Sequence, residues 1–153
     1  MLRKIKKYPF LLLMVILISS CSNQKPRNIN IGEDICAYCK MGITDNRFSS
    51  ELITSKGKVY KFDAIECLAA FYNNSDRTIK DNAKLWVHDF MKPDKWLSVN
   101  TAIFMRSEKI RSPMALNLLA VGSDSERVRI QQQFDGDQIR WKDLLIYVNK
   151  NMK

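Results

Sequence analysis

The first 21 residues decide how much chain is left to fold and in which compartment it folds. Arg3, Lys4, Lys6 and Lys7 make a basic start with no acid, Phe10 to Ile18 is an unbroken apolar run, and Ser19-Ser20-Cys21 follows. A basic stretch, a short apolar core and small residues before a cut mark a secretory signal. The run is too short to span a bilayer, which takes about 20 apolar residues. A cysteine directly after small residues has the form of a bacterial lipobox, so Cys21 is expected to be the first mature residue and to carry the lipid. The chain then sits in the bacterial cell envelope, held on a membrane and facing the periplasm or the exterior.

Cleavage after residue 20 leaves 133 of the 153 residues, enough for one compact domain or two small lobes. It removes four positive charges and lowers the formal net charge from +9 to +5. That balance favours solubility near an anionic bilayer. No Lys/Arg patch interleaved with aromatics occurs, so nucleic acid is not an expected partner. Residues 21–30 are polar with one proline, and are expected to be the lipidated cysteine and a flexible tether. The globular part is expected over 31–153.

Within it the pattern predicts short strands and a few helices, an α+β chain. Phe48 to Thr54 and Lys58 to Phe62 are strand-like around Ser55-Lys56-Gly57, a hairpin signal. Asp63 and Glu66 have the spacing of a capping box and open a helix whose buried face is Ile65, Leu68, Ala69 and Tyr72. Leu85 to Phe90 is a third strand, Met91 to Asp94 a turn, and Thr101 to Arg106 and Ala115 to Val121 are further strands. Ser123 and Glu126 repeat the capping logic for a helix to Phe134. A short strand at Ile139 to Trp141 and a helix from Asp143 to Asn149 close the chain. Both halves run from strands into a capped helix, which predicts two similar lobes, about 31–80 and 81–153.

The chemistry lies in sulfur. Cys36-Ala-Tyr-Cys39-Lys-Met41 puts two thiols and a thioether within six residues, and such soft donors favour Cu(I). C-x-x-C also fits a thioredoxin-like redox pair, but that pair opens a helix. Here turn residues flank it on both sides, favouring a loop. A structural zinc site closes with four Cys or His ligands and would have to use nearly everything the chain offers. A plain disulfide between Cys36 and Cys39 also suits an oxidising compartment. Met114, in Ser112-Pro113-Met114, is either a gap-filling core residue or a donor held by a rigid turn. His88, the only histidine, lies on a strand and is a weaker ligand candidate. Cys67, inside the first helix, is expected to be a small buried residue and is likewise a weaker candidate.

The ordered set of lipobox, Cys36-x-x-Cys39-x-Met41, Lys58-Val-Tyr-Lys-Phe62-Asp63 with Cys67 four on, Val87-His88-Asp89-Phe90 with Trp96 downstream, and Ser112-Pro113-Met114 resembles the NosL copper-chaperone lipoproteins. The resemblance covers most of the mature chain. It implies a monomeric Cu(I) carrier of two related ββαβ lobes. Its partners are then the copper-accepting nitrous oxide reductase and the membrane machinery that matures it. The family's sulfur motif falls on Cys36, Cys39 and Met41, and its Ser-Pro-Met on Met114. Where the family has Gly before the first Met and after the second, this chain has Lys40 and Ala115. No triad, phosphate loop or spaced carboxylate pair is present, so no enzymatic activity is expected. The readings that compete with a copper carrier are a thiol-disulfide oxidoreductase and a structural lipoprotein with a disulfide or zinc site.

Overall fold

A computed structural model describes residues 24–152; Cys21 and the export signal lie outside the described residues. Four antiparallel strands form the first sheet: β1 (Ser50–Ile53), β2 (Val59–Phe62), β3 (Lys84–Asp89) and β4 (Lys92–Ser98), in the order β2-β1-β3-β4. The second sheet holds β5 (Ile103–Arg106), β6 (Leu118–Val121) and β7 (Asp137–Ile139), in the order β6-β5-β7. Among the described residues four helices complete the fold: α1 (Ile65–Asn74), α2 (Arg77–Lys80), α3 (Asp124–Phe134) and α4 (Trp141–Asn151). Among the described residues no helix is long and apolar enough to cross a membrane.

The α+β class, the β1–β2 hairpin and α3 stand where the sequence puts them. Ser123 caps α3, its side chain accepting from the Glu126 amide at 3.4 Å. In α1, Ile65, Leu68 and Ala69 are buried and Tyr72 sits at the rim. The expected lobe boundary near residue 80 does not coincide with a sheet boundary. Strand β3 pairs with β1 and β4 with β3, and the Phe90 amide donates to the Ala120 carbonyl at 2.8 Å, stitching the sheets together. Side-chain alternation along β6 then splits two cores. Leu118 and Ala120 share one with Phe62, Leu68, Phe104 and Leu144, while Leu119 and Val121 pack with Phe48, Phe90, Met105 and Ile130. The first core draws on both sheets, α1 and α4, while the second lies in the 81–153 half except for Phe48.

Local expectations fail where a distant partner wins. The capping box at α1 does not form: the N-cap is Ala64, without a side-chain cap. Asp63 instead accepts from the Thr44 amide at 3.3 Å, and Glu66 is drawn into the core. The turn expected at Met91 to Asp94 is mostly strand. Trp96 and Leu97 pair with His88 and Val87, and a register shift between His88 and Asp89 absorbs the intervening residues. Strand β6 begins at Leu118 rather than Ala115, because Ala115 and Asn117 adopt left-handed backbone, φ 60° and 64°. The last strand spans Asp137–Ile139 rather than 139–141, and α4 starts at Trp141 rather than Asp143.

The tether also differs. Residues 24–30, expected to be free chain, lie along the first sheet. The Gln24 side chain donates to the carbonyls of Asn82 (2.9 Å) and Ile53 (3.4 Å), and its own carbonyl accepts from the Trp86 indole. The Arg27 amide donates to Glu51, Lys61 donates to the Asn28 carbonyl, and Ile29 joins the core.

Candidate metal centre

The C-x-x-C segment is a tight loop. Ile35 bridges Gly42, the Cys36 amide donates to the Met41 carbonyl at 2.8 Å, and the Lys40 amide donates to the Cys36 carbonyl at 3.1 Å. Residues 37–39 form the turn between them, so the pair occupies a loop rather than a helix start. The Ala37 amide donates to the Lys61 carbonyl at 2.8 Å and pins the loop to the end of β2. That strand passes through Asp63 into α1, whose first turn carries Cys67. The loop and the helix thereby bring three sulfurs together: the Sγ atoms of Cys36, Cys39 and Cys67 all lie within 4.8 Å of one another. All three are free thiols, Cys36 and Cys67 fully buried and Cys39 half-buried.

The cluster is built for negative charge on Cys36. The Cys67 thiol donates to the Cys36 sulfur, which also accepts from the backbone amides of Asp63, Cys39 and Tyr38; against the cost of burial, these pull its pKa to about 5. That charge and burial push Cys67 up, while burial, more than the neighbouring Cys36, pushes Cys39 up. The reduced, metal-free protein therefore carries one thiolate at neutral pH. A thiol lowered from 9.0 to about 5 contributes stability that is complete above 9, shrinks as pH falls, and is gone below 5. The raised thiols contribute oppositely, losing stability as pH climbs past 9.0. Ultraviolet titration is expected to show one thiolate forming near pH 5 and no other before the ordinary thiol value of 9.0; three thiols titrating together near that value would contradict the geometry.

The structure treats the other candidates differently. Met41 belongs to the loop and is 47% exposed. Met114 is half-buried against the core that contains Cys36 and Cys67. Its loop is clamped from below, since the fully buried Glu66 carboxylate accepts from the Ser112 hydroxyl and from the Leu118 amide at 3.3 Å. Ser112 in turn accepts from the Asn117 amide at 2.9 Å. One residue of α1 thus holds the Ser-Pro-Met turn, and the next supplies a thiol.

His88 stands apart from the thiol cluster. Its Nδ1 lies 2.7 Å from the Ser49 hydroxyl, its ring stacks on Trp96 with centroids 3.6 Å apart, and burial lowers its pKa to about 4. Asp89 does not orient it; that carboxylate accepts from the Met91 amide. Cys67, expected only as a small buried residue, is both buried and a member of the cluster. The available signal was its place four residues past Phe62-Asp63, in the first turn of the helix that follows the strand supporting the loop.

The two positions that depart from the family's glycines are both left-handed, φ 66° at Lys40 and 60° at Ala115. Glycine is free of the Cβ clash that other residues meet there. Lys40 gains a compensating bond, its Nζ donating to the Ala37 carbonyl at 2.7 Å. Ala115 has only a methyl group and no such bond to offer, so Ala115→Gly is expected to stabilise the fold by roughly 1 kcal/mol. Urea unfolding of the metal-free protein measures this, and a loss of stability would contradict the assigned backbone.

An α+β fold of two stitched sheets, bringing together three buried or half-buried thiols from one loop and the helix behind it, defines a protein with a potential soft-metal site. The sequence profile of the NosL family matches residues 28–147. The chain belongs to that family. Among solved structures it is similar to the crystal structure of the copper chaperone NosL from Shewanella denitrificans, at 18% identity and a TM-score of 0.64, with 78% of this chain and 94% of that one covered. At that identity the likeness concerns the fold. No curated protein matches the chain.

Proposed function

We propose that this chain is a monomeric Cu(I) carrier, lipid-anchored through Cys21 in the bacterial cell envelope, that supplies copper for assembly of nitrous oxide reductase together with the membrane machinery serving that enzyme. The observation that carries the proposal is the grouping of the Cys36, Cys39 and Cys67 sulfurs within 4.8 Å of one another, with the Cys36 thiol held well below its ordinary pKa by the Cys67 thiol and backbone amides. Three grouped thiol sulfurs make a soft donor set that favours Cu(I), to which Met41 and Met114 would add thioethers. A closed zinc site needs a fourth Cys or His, and His88 is engaged with Ser49 and Trp96. A thioredoxin-type pair draws its low thiol pKa from a helix start, whereas Cys36 draws its own from Cys67 and loop amides. The similar protein from Shewanella denitrificans is described as a copper chaperone, which supports the same reading.

A carrier must hold its cargo and also give it up. Buried Cys36 and Cys67 suit the holding, while half-buried Cys39 and exposed Met41 offer an accepting protein a place for stepwise ligand exchange. Cys67 separates this reading from a simple C-x-x-C site. Cys67→Ala is expected to weaken Cu(I) binding by about tenfold or more, roughly 1.4 kcal/mol, in competition with a chelator. Unchanged affinity would return Cys67 to the core and leave a two-thiol loop.

A further inference from the structure

Gln24, the first described residue, is at the opposite end of the first sheet from the thiols. Gln24 is bonded at the Ile53 and Asn82 end, where β1 meets the turn to β2 and β3 begins. The thiol loop is pinned near the other end of the same strands, at Lys61 and Asp63. Strand β1 alone separates these ends by about 10 Å. Residues 24–30 run the same way, fixed in turn to Ile53, Glu51 and Lys61. Three peptide units link Cys21 to Gln24 and reach at most about 11 Å. At Gln24's end stand Lys25, Lys56, Lys58 and Lys84, all exposed, together with the exposed acid Asp81 beside Asn82. Around the thiol loop the charges are mixed, with Glu33, Asp34 and Asp45 beside Lys40 and Arg47.

From this we infer that the lysine-bearing end around Ile53, Lys56, Asn82 and Lys84 is the face that rests on an anionic bilayer, so that the anchor points the thiol cluster away from the membrane. The inference rests on the lipid anchor at Cys21. A lipid there, joined by so short a link to a chain fixed at Gln24, holds this end within about 11 Å of the headgroups. At that distance, about one Debye length, lysines still feel the surface potential. A carrier held this way offers Cys39 and Met41 to a soluble acceptor instead of to the lipid.

The test uses the full acylated chain purified from membranes, with a fluorescent amino acid placed at position 56 or, in a separate protein, at position 33. Each is bound to vesicles of phosphatidylethanolamine and phosphatidylglycerol carrying a headgroup quencher. Quenching severalfold stronger at position 56 than at 33 is the expected result. Equal quenching, or stronger quenching at 33, in a chain whose mass shows the lipid would overturn the orientation alone. A mature chain that carries no lipid and stays off the vesicles would overturn the anchor, and the orientation with it.

Discussion

Cys36→Ser is expected to lower the affinity for Cu(I) by about a thousandfold or more, roughly 4 kcal/mol, with little change in the fold. Cys36 is the sulfur on which the cluster converges. It is fully buried, accepts hydrogen bonds from the Cys67 thiol and three backbone amides, and is the thiol whose pKa is pulled to about 5. A serine hydroxyl keeps the volume and can accept the same hydrogen bonds, but it does not ionise at neutral pH and is a hard oxygen donor. The variant thus removes both the charge and the softness that hold Cu(I), while Cys39 and Cys67 remain as neutral thiols that must each give up a proton to bind. Chelator competition on the reduced protein measures the loss. A fall of only a few fold would mean that Cys39 and the methionines hold the metal without Cys36.

The largest loss of stability is expected from Phe62→Ala, about 3–5 kcal/mol, measured by urea unfolding of the metal-free protein. Phe62 is fully buried at the end of β2, with its ring 5.2 Å from Phe71. Truncation forfeits the transfer energy of the ring and leaves a cavity that the surrounding strand and helix only partly close. The position also supports the site, because its neighbours are Lys61, whose carbonyl holds the Ala37 amide, and Asp63, whose amide bonds the Cys36 sulfur. Weaker Cu(I) binding is therefore expected alongside the lost stability. A loss below about 1 kcal/mol would mean that the first core is looser than the packing around Phe62 indicates.

Much of this was legible from local pattern. The Ser55-Lys56-Gly57 hairpin, the Ser123 cap and the turn residues around Cys36 and Cys39 each decide structure within a few residues, and each stands as expected. What was not legible depends on partners far along the chain. Asp63 and Glu66 have capping-box spacing, but Thr44 and Ser112 offer them better use. Met91 to Asp94 has turn composition, yet pairing of Trp96 and Leu97 with β3 draws residues from Lys92 onward into a strand. Residues 24–30 look like linker because Ile29 is their only large apolar residue, and the bonds that fix them come from Glu51, Lys61 and Trp86.

The candidate site divides in the same way. Cys36 and Cys39 are neighbours in sequence and their shared loop could be read directly. Cys67 lies about thirty residues on, and only the route from β2 through Asp63 into α1 brings it to them. His88 was a reasonable ligand by residue type alone. Its burial against Ser49 and Trp96 is a property of the fold.

The central claim is that copper sits on sulfur supplied by Cys36, Cys39 and Cys67. X-ray absorption on the reduced protein loaded with one equivalent of Cu(I) tests it most directly. The expected spectrum shows sulfur-only coordination that loses one sulfur in Cys67→Ala. A nitrogen ligand in the wild-type spectrum, or a spectrum unchanged by Cys67→Ala, would contradict it.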